Sequence, residues 1–298
     1  MENIKETPIY YNGNKLKCIK KGLLNHFPKN INILIEPFCG SGVISLNTQA
    51  KKYILNDIET NLIDLYNMFK DEDMDSLRLY FDKIRKELNF LDFVGDISFD
   101  NRSKNYDKEK HSLHKKSYGE LRDLYNKTRD IRLLYLLLVY SFSHNMRFNS
   151  KNEFNMPCGK DHFNNKVFDK IISFNKFLNN NKLKIFNKDY KHILNYCKDK
   201  LNENDFIYID PPYLITLGTY NENNGWNEDD ERTLYMLLDE LNEKGIKFGL
   251  SNVLTHKGKE NTILKEFIKK YNYTDIDVTY SAMGKGNANS KEIYVYNY

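Results

Sequence analysis

The chain has 298 residues, enough for a large domain or a domain with an insert at ~150 residues per domain. Its longest apolar run, Leu133 to Tyr140, is eight residues, far short of the ~20 needed to cross a bilayer. The polar start Met1-Glu2-Asn3-Ile4-Lys5-Glu6 does not read as a secretory signal, and four widely spaced cysteines with no CxxC pair imply neither a zinc site nor a disulfide scaffold. A soluble protein of the reducing cytoplasm is expected.

The first 70 residues read as α/β. Lys15 to Phe27 has helical spacing, Ile31 to Glu36 is a strand, and Pro37-Phe38-Cys39-Gly40-Ser41-Gly42 is a turn. A helix from Val43 and a strand at Tyr53 to Asp57 follow. From about residue 71 the rhythm changes: Asp71 to Leu88 and Gly119 to Ser143 are helical, with no convincing strand. After Asn165 the α/β pattern returns, with strands at Leu183 to Phe186, Phe206 to Ile209 and Ile246 to Ser251, and a helix over Asp229 to Lys244. Tyr273 to Tyr280 and Glu292 to Tyr298 read as a closing β-hairpin, with Gly284 to Asn289 as a loop. The expected architecture is an α/β, Rossmann-like sheet formed by residues 1–70 and 168–298, interrupted by a helical insert at 71–167.

Charge is uneven along the chain. Residues 101–160 carry 13 Lys/Arg against 6 Asp/Glu, although the whole chain is only +4. Such a segment is the footprint of a polyanion or a solvated helical face.

Two segments carry chemistry. Gly40 and Gly42, at the carboxyl end of the first strand, allow a ligand to approach the backbone, and Asp57 ends the next strand, placed for ribose hydroxyls. Ser45 stands where a dinucleotide fingerprint has its third glycine, which favours a nucleoside without pyrophosphate, such as S-adenosylmethionine, over a dinucleotide. A plain glycine turn is the alternative. Asp210-Pro211-Pro212-Tyr213 follows the apolar strand Phe206 to Ile209 and is sharper. An exocyclic amine of a nucleobase is a poor nucleophile because its lone pair is delocalised into the ring. The Asp210 carboxylate and the Pro211 carbonyl can accept both amine hydrogens and aim the lone pair at a methyl sulfonium, with Tyr213 stacking on the base.

With these residues the chain resembles the Dam-type, α-group DNA adenine-N-6 methyltransferases, most closely the T-even phage Dam enzymes. Matching segments run nearly end to end. They include Tyr10-Tyr11-Asn12-Gly13-Asn14-Lys15, Phe38 to Gly42, Asn56-Asp57-Ile58, Phe142-Ser143 with Arg147 and Asn149, Phe154 to Lys160, Tyr208 to Thr216, and Gly249 to Val253. The resemblance implies a class I methyltransferase with S-adenosylmethionine as donor and no metal. Its substrate would be a flipped adenine of double-stranded DNA, in GATC or a related short site. Site residues carry over by position. Tyr10, Lys15, Glu36, Phe38, Gly40, Gly42, Asp57, Ile58, Asp189, Tyr190 and Asp210 would line the cofactor. Lys15 would pair with the methionine carboxylate, and the Tyr190 ring would pack on the adenine. Phe142 would enter the base stack, with Ser143, Arg147, Asn149, Pro157 and Lys160 near bases and phosphates; core packing of an apolar helix is the residue-level alternative for Phe142. The insert at 71–167 would be a DNA target-recognition domain with a β-hairpin; in that hairpin Asp161 stands where a guanine-reading arginine is expected, and His144-Asn145 also departs from the phage pattern. Cytosine-N-4 enzymes usually open the motif with serine, and enzymes acting on RNA or protein glutamine with asparagine; Asp210 argues against both, and against a silent DNA-binding module. A cognate restriction endonuclease and a location on cytoplasmic DNA, in a bacterium or a phage-infected cell, complete the expectation.

Overall fold

The computed structural model describes residues 4–11, 13–90, 107–216, 225–276 and 290–298; the Gly284 to Asn289 loop lies outside them. Helix α1 spans Leu16–Lys20, and a 3-10 turn spans Leu23–His26. The single helix expected over Lys15 to Phe27 is broken because Gly22 between the two pieces takes φ 98°, a left-handed conformation that glycine adopts without steric penalty. Next come β1 (Ile31–Glu36), α2 (Val43–Asn47), β2 (Ala50–Asn56) and α3 (Thr60–Asp71). Helices α4 (Met74–Glu87), α5 (Lys108–Thr128), α6 (Ile131–Tyr140) and α7 (Asn165–Asn180) follow. The helix expected over Gly119 to Ser143 is two helices. Arg129 ends α5 at φ 59°, and Asp130 starts α6 by accepting from the Arg132 amide at 3.0 Å. The remaining elements are β3 (Leu183–Phe186), α8 (Tyr190–Lys198), β4 (Phe206–Ile209), α9 (Glu228–Glu243), β5 (Lys247–His256), β6 (Lys259–Glu260), α10 (Thr262–Phe267), β7 (Asn272–Ile276) and β8 (Ser290–Tyr296).

Residues 1–6, 15–63 and 180–298 form one compact unit, and 7–14 and 64–179 a second. In the first, the sheet order is β3-β2-β1-β4-β5-β8-β7, with the short β6 beside β5. The strands from β3 to β5 run parallel, and β8 and β7 add antiparallel. Every residue of β4, Phe-Ile-Tyr-Ile, is buried, as a strand inside a two-face-covered parallel sheet demands. Ile193 and Leu194 of α8, Leu234 and Leu238 of α9, and Leu264 and Phe267 of α10 join Ile35, Ile207, Phe248 and Val295 in one core. Each such side chain contributes roughly 1.5–3 kcal/mol through burial. This is the Rossmann-like sheet expected from the alternating pattern.

The second unit is helical around α6, buried continuously from Leu133 to Tyr140. A helix that is apolar on all sides belongs in the centre of its unit. Tyr135 meets Phe69 of α3 and Phe81 of α4, at 5.0 and 5.8 Å between ring centroids. Phe174 of α7 meets Tyr66 of α3 at 5.3 Å. These rings explain why the unit extends past residues 71–167 on both sides: α3 and α7 supply part of its core. Among its described residues the only β pairings are the isolated bridges Ser141 with Cys158 and Phe148 with Phe154.

Candidate active site

The chain places β2 and β3 on one side of β1 and β4 on the other. The carboxyl ends of β1 and β4 therefore flank the point where strand order reverses, where open α/β sheets leave a crevice for ligands. Glu36 ends β1 and Asp210 follows β4, so the two motifs singled out in the sequence meet at that crevice.

The turn after β1 is built by backbone conformation and four buried polar side chains, those of Glu36, Ser45, Asn56 and Asp57. Gly40 and Gly42 take φ 47° and 72°, the left-handed region that a Cβ disfavours. The Gly40 amide donates to Asp57 Oδ2 at 3.0 Å, and the Glu59 amide to Asp57 Oδ1 at 3.1 Å. Burial raises the Asp57 carboxyl above its ordinary value, opposed by these two amides. Glu36 accepts from the Ser45 amide at 3.0 Å and from the Ser45 hydroxyl. Burial pushes the Glu36 carboxyl up to about 8, so at neutral pH it is mainly the uncharged acid. Asn56, to which the sequence assigned no role of its own, donates to the carbonyls of Pro37 and Lys188, both at 2.9 Å, and ties the turn after β1 to the turn after β3. Its signal in the sequence is an amide that ends the apolar run Tyr53-Ile54-Leu55, where burial demands hydrogen-bond partners.

Asp189 caps α8 through the Lys191 amide at 2.8 Å. Tyr190 packs on Phe38 at 5.0 Å and on Trp226 at 5.4 Å between centroids. The ring expected to meet a cofactor adenine is thus part of an aromatic trio at the strand ends. Trp226, a member the sequence did not flag, donates from Nε1 to the fully buried Glu231 at 2.6 Å. Ile58 is 67% exposed, and its carbonyl accepts from Asn187 at 3.1 Å.

Lys15, Asp210 and Tyr213 come together around a fourth residue, Glu292 of β8. Lys15 Nζ lies 2.7 Å from Asp210 Oδ2 and 3.6 Å from Glu292 Oε1. The Tyr213 hydroxyl lies 2.9 Å from Asp210 Oδ1 and 2.8 Å from Glu292 Oε1, so one hydroxyl proton faces two carboxylates. Lys15 also sits 5.1 Å from the Tyr213 ring centroid. Burial raises the Asp210 carboxyl above its ordinary range, Lys15 and Tyr213 draw it back, and Glu292 pushes it further up. Pro211 is buried and Pro212 exposed. Glu292 was missed, although a lone carboxylate in the apolar strand Ile293-Tyr294-Val295 is a signal that it has a buried partner.

A family model for D12 class N6 adenine-specific DNA methyltransferases matches residues 11–282. The chain belongs to that family. It is 31% identical over 98% of its length to "Type II methyltransferase M.FokI" of Planomicrobium okeanokoites, and 32% identical over 98% to "Modification methylase StsI" of Streptococcus sanguinis. The match covers 43% of each of these two relatives, so the chain spans about two fifths of their length. It is 26% identical over 76% of its length to "DNA adenine methylase" of Escherichia coli strain K12, of which 73% is covered.

The remaining candidates of this D12 family chain lie in the second unit. Tyr10 belongs there and stacks on His144, 4.0 Å between centroids and 18° between planes. Phe142 is 52% exposed, so the core-packing alternative does not hold for it. Ser143 follows it at φ 59°. The Phe142 amide donates to the Pro157 carbonyl at 2.9 Å. Arg147 grips Asn155, Nε to the side-chain oxygen at 2.8 Å and a terminal nitrogen to the carbonyl at 2.7 Å. Asn149 Oδ1 accepts from the Lys151 and Glu153 amides, both at 2.9 Å, and so shapes the turn at this end of the segment. Lys160 is exposed.

Proposed function

We propose that the protein transfers a methyl group from S-adenosylmethionine to the N-6 amine of an adenine displaced from double-stranded DNA, in GATC or a related short site. The observation that carries this reading is the Asp210 carboxylate held at the sheet's crevice by Lys15 and Tyr213. Each carboxylate oxygen has two lone pairs. Asp210 can therefore accept from the adenine amine while both partners keep its orientation. With the Pro211 carbonyl as second acceptor, the amine hydrogens are drawn away from the ring plane and the nitrogen lone pair is freed. Tyr213 supplies an aromatic face for the base.

The donor's chemistry is an activated methyl sulfonium. The first unit suits a nucleoside of this kind in three respects. Left-handed Gly40 and Gly42 leave the backbone bare beside a buried Asp57 carboxylate. Phe38 and Tyr190, stacked at 30° between planes, offer aromatic faces, with Trp226 set edge-on to Phe38 at 80°. Lys15 supplies a cation for a carboxylate, and its present partner is Asp210. On this reading, bond formation at adenine N-6 accompanies loss of the carbon–sulfur bond, and the amine proton leaves to Asp210 or to water. The helical unit, with its basic segment and exposed Phe142, is the part assigned to DNA. The names of the relatives, modification methylases among them, favour a cognate restriction endonuclease as genetic partner.

The test is expression in a methylation-free host with methylated bases mapped by single-molecule sequencing. Methylated adenine in one short motif is expected, and unmodified DNA refutes the assignment. Asp210→Ala should lower turnover at least ~10²-fold, the scale of losing an aligned acceptor, while DNA affinity holds. Retention of more than about a tenth of turnover refutes the role given to Asp210.

A further inference from the structure

Two positions at which the sequence departs from the phage Dam pattern, His144 and Asp161, meet each other in the second unit. His144 Nε2 lies 2.9 Å from Asp161 Oδ2, and His144 Nδ1 lies 2.8 Å from the Leu138 carbonyl oxygen. Both ring nitrogens face acceptors, so the arrangement is satisfied only when both carry protons and the ring is an imidazolium. Burial by itself would lower the His144 pKa; the Asp161 carboxylate and the Leu138 carbonyl outweigh it and hold the group above its ordinary 6.5, with Lys170 opposing. Asp161 is held below its ordinary 3.8 by His144, against burial, with His162 as the other charge-bearing group nearby. Tyr10 covers the face of the imidazole ring.

The pair closes a turn that local preferences resist. Ser143 and His144 are consecutive non-glycine residues at φ 59° and 53°. Each costs on the order of 1–2 kcal/mol, and such residues persist only where the surroundings hold them. On one side the Phe142 amide bonds the Pro157 carbonyl at 2.9 Å, and the Gly159 amide bonds the Tyr140 carbonyl at 2.7 Å. The other side is closed by His144, which joins the end of α6 at Leu138 to Asp161, two residues past Gly159. Phe142, at the head of the turn, stays half-exposed.

We propose that His144 and Asp161 form an ion-pair clamp that fixes the Phe142 turn in the shape that presents this ring to DNA, making both of them positioning residues for displacement of the target adenine. The proposal rests on the methyltransferase reading and deepens it. It also accounts for the missing arginine: Asp161 serves the turn, and guanine recognition at that edge of the site falls to another residue. As pH rises through the raised His144 pKa, one proton leaves the ring. One of the two acceptors then loses its donor, and the clamp loosens.

The test uses the full chain and a duplex carrying 2-aminopurine at the mapped target adenine, whose fluorescence rises on unstacking. In the wild type the rise should be full at acid pH and fall as pH passes upward through the His144 pKa. Asp161→Asn keeps the size and drops the charge, and Asp161 is 69% exposed, so the fold should tolerate it. It should shift that fall to lower pH and weaken unstacking roughly three- to tenfold at pH 7.5, the scale of a charge-assisted hydrogen bond. His144→Gln should remove the pH dependence. In the protein without DNA, the His144 imidazole titration followed by NMR, assigned by its loss in His144→Gln, should move down in Asp161→Asn. Coincident unstacking profiles for wild type and Asp161→Asn, or an unmoved His144 titration, overturn the clamp. Failure of the methyltransferase reading looks different: no adenine is methylated by the wild type at any pH, whatever His144 does.

Discussion

Replacing Lys15 with methionine removes the only cation that the described contacts place between the buried Glu292 and the half-buried Asp210, while keeping an unbranched chain of similar length. Lys15 and Glu292 are 2% and 1% exposed and Asp210 20%, so little solvent reaches the charges left behind. Taking one partner from such a buried pair costs about 3–5 kcal/mol, because the remaining charge is uncompensated. Here two carboxylates remain, sharing the single Tyr213 hydroxyl proton. Lys15 is the chief influence lowering the Asp210 pKa against burial, so its loss raises that already raised value further. The folded variant then holds a proton that the unfolded chain releases at its ordinary carboxylate pKa. The deficit is therefore largest at alkaline pH and shrinks as pH falls through the variant's Asp210 pKa. Urea unfolding followed by the fluorescence of Trp226, the chain's single tryptophan, reports on the first unit directly. The expected deficit is about 3–5 kcal/mol at pH 8 and smaller at pH 5. Adding Glu292→Gln should recover part of it, since one carboxylate then has the Tyr213 proton to itself. A deficit below about 1 kcal/mol, the size of an exposed pair, or one equal at both pH values, would refute the assignment of Lys15 as the charge that holds this site together. Calorimetry should also show weakened S-adenosylmethionine binding; unchanged affinity would refute the cofactor role of Lys15.

Other substitutions test neighbouring parts of the structure. Glu36, with a folded pKa of about 8 against an ordinary 4.5, costs the wild type stability as pH rises through that window, because the unfolded chain sheds its proton first. Glu36→Gln retains an acceptor for Ser45 without a titrating proton, so its melting temperature should fall less than that of the wild type between pH 5 and pH 8. A wild type that loses no more than the variant would show that Glu36 is charged in the fold. A Cβ on Gly159 would lie 2.5 Å from the Ser141 carbonyl oxygen and 2.9 Å from the Phe142 nitrogen, backbone atoms that cannot swing aside. Gly159→Ala should therefore cost roughly 1–3 kcal/mol and weaken DNA binding more than cofactor binding. Thermal melts together with the two affinities check this, and a neutral substitution would place the 157–159 segment elsewhere.

Short-range preferences made much of the first unit legible. Ile31 to Glu36 and Phe206 to Ile209 are runs rich in isoleucine and aromatic residues, the first ending at Pro37 and the second lying between Asp205 and Asp210, and they form strands at those limits. Proline at 37, 211 and 212 restricts the backbone after each strand, so the position of Asp210 at a strand end was written locally. The apolar run Leu133 to Tyr140 lies within the stretch read as helical, and it is buried on every side. Element ends were less legible where one residue adopts a left-handed conformation, as Gly22 and Arg129 do, because a helical pattern continues past such a residue without change.

The associations that complete the site depended on tertiary structure. Asp210 and Glu292 are 82 positions apart and meet only because β8 folds back beside β5. Burial then gives their shared lysine and tyrosine an importance that no spacing encodes. Tyr190 was singled out only by resemblance, and its contacts with Phe38 and Trp226 follow from where α8 and α9 pack on the sheet. His144 and Asp161 each read as an isolated departure from a pattern. The bridge between Ser141 and Cys158 brings their segments together and turns two departures into one ion pair. The order of residues along the chain settles the cores of most strands, the turns beside them and the place of Asp210 directly after β4, since these are properties of neighbouring residues. The tertiary structure alone decided which charges face each other, because Coulomb and hydrogen-bond energies depend on distances through space, and folding sets those distances.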